Sequence, residues 1–400
     1  MTKFAGSIDD THMKVRQAYK FRLKAGRARS SELAKIAGSN RFVWNWAFAF
    51  QKDHLEKKER VQNYAGLCRS LISLKVDEKT AWLSDCPSQT LQQTLKTLDR
   101  SLKDAFNKKS AKRFPQFKKK GQHDSFRYPQ GIKVRNNEIF LPKVGWVKFF
   151  KSREIEGAIK NATVTKKGEH WYVSVQTEQE VTKFYHPSPS AVGIDLGVKK
   201  FATLSTGRVY ESKNSFKQKM ARLAKLQQRL SKKKRGSNNS KKLKKRITRL
   251  HSKIANIRND YLHQVSTDIS KSHALVVLED LKVANMSKSA SGTMESPGKN
   301  VAAKSGLNRS ILDQGWHMFK SYLSYKLERL GGELLLVDPR YTSQECSKCH
   351  HTDEGNRKSQ AEFLCLRCGH EENADVNAAK NVLAAGHAVL SPAPEAALAA

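Results

Sequence analysis

Four cysteines fall into two CxxC pairs, Cys346-Ser-Lys-Cys349 and Cys365-Leu-Arg-Cys368, with 15 residues between them. Each pair can form a knuckle, and thiolates at this spacing close a tetrahedral shell around one Zn²⁺ ion. Such a shell keeps no open coordination position, so the expected role of the ion is structural. His350, His351 and His370 lie beside these cysteines and could substitute as ligands, although exposed positions or phosphate contacts suit them better. Cys68 and Cys86 fall in helical patterning and read as core residues.

Three acids suggest a different chemistry. Asp195 ends the apolar run "AVGID", Glu279 closes "LVVLE", and Asp375 sits at the start of a helical pattern in "NADVNAAKN". A lone buried carboxylate protonates unless a cation stands beside it. Carboxylates at the edges of regular elements can together bind two divalent ions. Such ions, ~3.5–4 Å apart, activate water and stabilise the leaving oxygen in phosphodiester hydrolysis. Each acid also has a plainer reading. Asp375 could cap a helix and Glu279 could pair with a lysine, whereas Asp195 is the hardest to explain without metal. Asp280 should face the other side of the strand that carries Glu279.

These side chains need elements to position them. Residues 15–24 read as a strand, and 32–50 and 88–106 as amphipathic helices, the second with Ser88 as a candidate N-cap. From 125 to 178 the apolar period switches to two, giving short strands split by Gly, Asn and Pro. Strand 15–24 and the strands of 125–178 are expected to form one small barrel, with the helices of 27–113 inserted. "HPSPS" at 186–190 reads as a linker. Beyond it come strands at 191–197, 200–206, 274–280 and 333–338. A helical hairpin is expected over 213–262, a mobile loop over 285–306, one helix over 311–332 and a short helix over 374–385.

Charge decides the class of partner. The chain has 74 Lys and Arg against 37 Asp and Glu, a net charge of +37 that repels itself unless a polyanion neutralises it. The hairpin region concentrates this excess, with 18 Lys or Arg and one acid, Asp260, between 213 and 262. Its Lys232, Lys233, Lys234 and Arg235, and the separate run Lys118, Lys119 and Lys120, are expected to track phosphates. Tyr64, Gln92 and Gln93 have chemistry suited to reading bases, since Gln can bond adenine bidentately. No apolar run approaches the ~20 residues of a spanning helix. The first residues lack a signal-peptide core, so a cytoplasmic protein without membrane contact is expected.

The runs "GIDLGVKKFATLS", "LED" and "CSKC…CLRCG…ADVNAAKN" resemble TnpB, the RNA-guided DNA endonucleases of bacterial insertion sequences, related to type V CRISPR effectors. The resemblance spans nearly the whole chain and includes "YKFRL", "RFVWN", "LPKVGWVKF", "RLSKKKRGS", "LNRSILDQGW" and "YTSQECSKC". It implies a multidomain α+β protein. A wedge-type β-barrel would take residues 1–26 and 114–185, and a helical recognition insertion 27–113. A RuvC-like nuclease with an RNase H fold would take 191–340 and 373–386, with a zinc ribbon inserted at 341–372 and a disordered tail at 387–400. The family's acid order Asp, Glu, Asp falls on Asp195, Glu279 and Asp375, implying two catalytic Mg²⁺ ions. The implied partners are a guide RNA and double-stranded target DNA beside a short flanking motif, with a monomeric protein in a nucleoid-associated ribonucleoprotein. One departure is His350, where the family's first knuckle usually has glycine.

A transposase acting directly on DNA and a DNA-binding protein without cleavage are the competing readings. A tyrosine-type transposase needs two histidines flanking an apolar residue, and none of the 13 histidines forms that triplet. An acid-triad transposase more usually runs Asp, Asp, Glu. A guided DNA-binding relative without cleavage should lack one of the acids. A helix-turn-helix repressor built on "SELAKIAGSNRFVWNWAF" is weaker, since ordinary helix packing gives the same pattern.

Overall fold

The computed structural model describes residues 12–122, 124–182 and 184–390. The chain divides into two compact units after Thr182. The first begins with strand β1 (His12–Arg22), followed by helices α1 (Arg27–Glu56), α2 (Tyr64–Val76) and α3 (Ser88–Phe106). Strands β2 (Ser125–Tyr128), β3 (Lys133–Arg135), β4 (Glu138–Leu141), β5 (Gly145–Lys148), β6 (Ala158–Lys167) and β7 (His170–Thr182) complete it.

Alternation decides which way β1 faces. Tyr19, Phe21 and Leu23 are buried, while Lys20, Arg22 and Lys24 between them are exposed. In α1 the buried Leu33, Ile36, Val43, Ala47 and Phe48 recur at helical spacing and join the same core. The strands form two sheets, β1-β7-β6-β2 and β3-β4-β5, and a bridge between Leu23 and Phe149 runs from one to the other. Helix α3 has the expected boundaries, but Ser88 is its first residue rather than its cap. Pro87 takes the cap position, and the Ser88 hydroxyl accepts from Lys75 at 2.8 Å.

The second unit is built on strands β8 (Ala191–Asp195), β9 (Lys200–Leu204), β10 (Val209–Glu211), β11 (Leu275–Glu279) and β12 (Glu333–Val337). They form one sheet in the order β10-β9-β8-β11-β12. β8, β11 and β12 run parallel, while β9 and β10 are antiparallel additions. Between β10 and β11 stand α4 (Met220–Ser231) and α5 (Asn238–Ser272), the expected hairpin, zipped by Leu223, Leu250 and Ile254. Its base is anchored by buried Asp313, which accepts from the Ser215 hydroxyl at 3.0 Å and the Phe216 N–H at 2.9 Å.

The segment after β11 differs from the sequence reading. A short α6 (Val283–Met286) precedes a loop, and α7 (Val301–Gln314) takes residues expected to be mobile. The single helix expected over 311–332 is two, because Gly315 sits at φ +74° between α7 and α8 (Trp316–Leu330). β13 (Glu362–Leu364) and β14 (Glu371–Asn373) form a small hairpin in the cysteine segment, and α9 (Ala374–Leu390) follows. The helix thus continues past 385, and the part of the expected tail from 391 on lies outside the described residues. Among the described residues, no helix is long and apolar enough to cross a membrane.

The parallel strands are covered on both faces, which explains their continuous apolar runs. Val192, Ile194, Val276 and Leu278 share a core with α5 and α8, whereas Val277 and Val337 pack with Val382 of α9. Helix α9 lies very close to the sheet. A Cβ on Gly193 would stand 2.1 Å from the Ala379 carbonyl oxygen, and one on Gly386 would stand 2.4 Å from a Val277 methyl. Gly193→Ala must therefore push α9 away. It is expected to cost on the order of 1–3 kcal/mol as overpacking, read as a lower denaturant midpoint. An unchanged midpoint would mean that strand and helix have room to part.

Candidate active site and metal centre

The two-residue period of a strand aims the acids. Gly193 faces α9, so Asp195, two residues on, shares that face. Val277 also packs on the α9 side, which places Glu279 there too. β8 and β11 are adjacent, with Val277 opposite Gly193 and Leu278 opposite Ile194. The two carboxylates therefore leave the C-terminal ends of neighbouring parallel strands. Asp375 enters from the first turn of α9, the helix pressed onto that face. The structure thus brings Asp195, Glu279 and Asp375 into one electrostatic neighbourhood.

Their protonation reflects it. Burial pushes Asp195 up to about 7, and the charges of Glu279 and Asp375 push in the same direction. Glu279 is also raised by burial, against a Thr342 hydroxyl that donates to its Oε1 at 2.6 Å. Asp375 is flanked by two cations, Lys200 Nζ and Arg357 Nη2, each 3.5 Å from one of its oxygens. Asp280 falls on the opposite face, where it pairs with Lys282 and, at 3.0 Å, with Lys320 of α8. These partners hold its carboxyl below the ordinary range. Sequence reasoning missed Lys200, Arg357 and Thr342. Nothing local marks Arg357 or Thr342, whereas "GVKK" put Lys200 in view without a partner.

The cysteines form a tighter group. Cys346 and Cys368 sulfurs lie 3.7 Å apart, Cys349 and Cys365 sulfurs 3.5 Å apart, and all four fall within 4.8 Å of one another. A tetrahedral ion with metal–sulfur bonds of about 2.3 Å separates its sulfurs by about 3.8 Å, so the cluster fits one such ion. Two knuckles frame it with matching bonds: His350 N–H to Cys346 O at 2.9 Å, and Gly369 N–H to Cys365 O at 3.0 Å. Desolvation pushes the Cys365 thiol up, but the Cys368 and Arg367 N–H groups and neighbouring sulfurs bring it down to about 6. His350 and Gly369 both have left-handed backbones, with φ of +59° and +68°. The departure at His350 therefore sits where glycine is the unstrained choice. Its ring is no metal ligand here but contacts Glu345 Oε1 at 2.8 Å.

The expected nucleic-acid residues are dispersed. Lys232, Lys233, Lys234 and Arg235 are exposed at the hairpin tip. With Arg229, Lys242 and Arg246, two of them line a basic notch. Lys119 and Lys120 are exposed, but Lys118 differs from the expected solvent-facing contact. It packs over the Trp44 ring at 3.7 Å, and burial lowers its amine to about 8. Tyr64 is half-buried against the core at the start of α2, while on α3 Gln92 is exposed and Gln93 half-buried.

Known proteins resemble this chain throughout. A 53% identical Escherichia coli protein, "Putative RNA-guided DNA endonuclease InsQ", aligns over 95% of this chain and 94% of its own length. The chain belongs to the IS605 OrfB, or TnpB, family. The model of that family, described as "Probable transposase", matches residues 173–290, and one described as "Cas12f1-like, TNB domain" matches 316–382. A third, described as "Helix-turn-helix domain", matches 13–60, which here are β1 and the single helix α1. A Streptomyces pristinaespiralis "Putative RNA-guided DNA endonuclease" is 32% identical over 93% of this chain and 90% of its own. A solved Cas12f1–sgRNA–target DNA complex superimposes with a TM-score of 0.48 at 16% identity, covering 92% of this chain and 98% of that one.

Two outcomes follow from the geometry. With divalent metal chelated, Asp195 costs the folded state once ionised, because it titrates near 7 folded and near ~3.9 unfolded. Stability should fall as pH rises from about 4 to 7, by up to about 4 kcal/mol, and Asp195→Asn should flatten that fall. Denaturant titrations across this range check it, and identical curves for the two proteins would refute it. Separately, His350→Gly should relieve about 1 kcal/mol of left-handed strain, more than an exposed ion pair to Glu345 is worth. Slower loss of metal to a chelator would register the gain, and equal rates would count against it.

Proposed function

We propose that this chain is an RNA-guided DNA endonuclease of an insertion sequence, cutting target DNA at Asp195, Glu279 and Asp375. The observation that carries the reading is the convergence of these carboxylates from two strand ends and a helix start: burial raises Asp195 to about 7, and the charges of Glu279 and Asp375 add to that rise. A purely structural role gives no reason to bury an acid and place two more beside it. Two Mg²⁺ ions held there would activate water and stabilise the leaving oxygen of a phosphodiester. Asp195, Glu279 and Asp375 would bind the ions. Lys200 and Arg357, already beside Asp375, hold countercharge at the same place.

The sheet order and the acids at the ends of its parallel strands support a RuvC-like RNase H fold, and Zn²⁺ suits the four cysteines in a ribbon that does no chemistry. The first unit would supply the wedge-type barrel and its helical insertion. Guide RNA would provide sequence specificity by pairing, with protein contacts limited to a flanking duplex motif. The hairpin tip and Lys119 and Lys120 would neutralise phosphates as the protein works as a monomer in the ribonucleoprotein. Loss of cleavage with binding kept is the competing reading, and the presence of all three acids in one neighbourhood weighs against it.

Reconstituted with guide RNA, target DNA and Mg²⁺, Asp195→Ala should bind target normally and lose cleavage by at least about 10³-fold. Glu279→Ala and Asp375→Ala should behave alike, and Asp280→Ala should cut within a few-fold of the parent. Full cleavage by Asp195→Ala would remove the site assignment.

A further inference from the structure

We infer that Thr342 is a positioning residue for Glu279, and that the strap from Thr342 to Ser347 couples the cysteine cluster to the acidic site. The inference rests on the proposed cleavage site. The Thr342 hydroxyl has one hydrogen and two acceptors within reach, Glu279 Oε1 at 2.6 Å and the Pro339 carbonyl at 3.1 Å. The carbonyl three residues back is the ordinary local partner of a threonine and would satisfy the hydroxyl by itself. The shorter contact instead reaches 63 residues along the chain to the acid. Its length is that of a charge-assisted O–H···O⁻ bond. Thr342 is only 7% exposed, so water competes little for the bond.

What fixes Thr342 is the helix that carries Asp375. Asn381 Nδ2 donates to the Thr342 carbonyl at 2.9 Å and to the Glu345 carbonyl at 2.6 Å. Asn377 Nδ2 also donates to the Glu345 carbonyl, at 2.7 Å, while its Oδ1 accepts the Ser347 N–H at 2.9 Å. Both asparagines are buried and stand one turn apart on α9. Cys346, a member of the sulfur cluster, lies between Glu345 and Ser347. One short strap is therefore clamped by α9, anchored at a sulfur, and bonded to Glu279. Glutamate has three side-chain dihedrals, and a bond to Oε1 fixes the last of them. Hydrogen bonds that orient a ligating carboxylate typically change metal affinity or activity by about 10–100-fold.

The test compares Thr342→Ser, which keeps the hydroxyl, with Thr342→Ala and Thr342→Val, which lack it, in the full ribonucleoprotein. Half-maximal cleavage should need about 10–100-fold more Mg²⁺ in the Ala and Val variants, with the Ser variant within about threefold of the parent. Mn²⁺ binding followed by electron paramagnetic resonance should weaken in the same order without any turnover. Target binding and zinc content should stay unchanged in all three. Ser and Ala share the loss of the methyl group, so their contrast isolates the hydroxyl even if Val packs poorly. Equal Mg²⁺ dependence and equal Mn²⁺ affinity for Ser and Ala would overturn the inference. Asp195→Ala in parallel separates the two ideas: its normal cleavage would reject the site itself, whereas its inactivity beside an unaffected Thr342→Ala would reject only the role of Thr342.

Discussion

Asp195 is buried and also feels the charges of Glu279 and Asp375, and the second unit is arranged to tolerate that electrostatic cost. Two acids come from the ends of parallel strands, one residue past the last paired positions, Leu278 and Ile194, so the strand pairing limits their spacing. The third comes from a helix held against the sheet by contacts that leave no room for a Cβ at Gly193 or Gly386. Packing over the whole of α9 thus opposes a local electrostatic cost. Lys200 and Arg357 relieve part of that cost at Asp375, and burial leaves the rest on Asp195. Under the proposed function, this compromise leaves a site that is poor as structure and suited to cations.

The cysteine segment enters the same balance. Its own apolar core is small, with Phe363 and Ala374 beside Cys346 and Cys365, so under the proposed function a bound zinc ion would supply much of its order. Yet it contributes Arg357 to Asp375 and Thr342 to Glu279, and it leads directly into α9. Its sulfurs need no part in the chemistry to matter for it. An ion that ordered the knuckles would also order two side chains that address the acids. Under the proposed function, that would be a physical reason for a structural metal to sit next to the cleavage site.

Much of this was legible in the sequence, and the limits have physical causes. Cysteine spacing is a local signal, so the sulfur cluster could be read directly. Asp195 and Glu279 stood out because charge at the end of a doubly buried strand conflicts with its surroundings, and strand alternation separated Glu279 from Asp280. Helix α3 was found to the residue because its apolar stripe is strong, but the capping role went to Pro87 because a serine side chain competes with tertiary partners such as Lys75. The run from 311 to 332 kept helical periodicity across Gly315, and periodicity alone does not show that one residue turns left-handed. Lys118 looked like its neighbours in a basic run, and only the fold revealed Trp44 beneath it. Arg357 and Thr342 were invisible because each acts on a residue far away in sequence.

Charge is divided between the whole chain and the site in opposite senses. A net charge of +37 draws a polyanion to the surface, and the exposed hairpin tip is among the strongest concentrations of that charge. At the three acids the sign reverses, so under the proposed function a phosphodiester brought there by the long-range field would meet local repulsion. Lys200 and Arg357 offset it only in part, since both are already engaged by Asp375. Divalent cations held there would remove the repulsion and supply an attraction in its place. Under the proposed function, capture of nucleic acid therefore depends on monovalent side-chain charge and is weakened by salt. Admission of the scissile phosphate depends on metal. The two steps respond to different ions because the fold has placed opposite charges at different distances from the substrate.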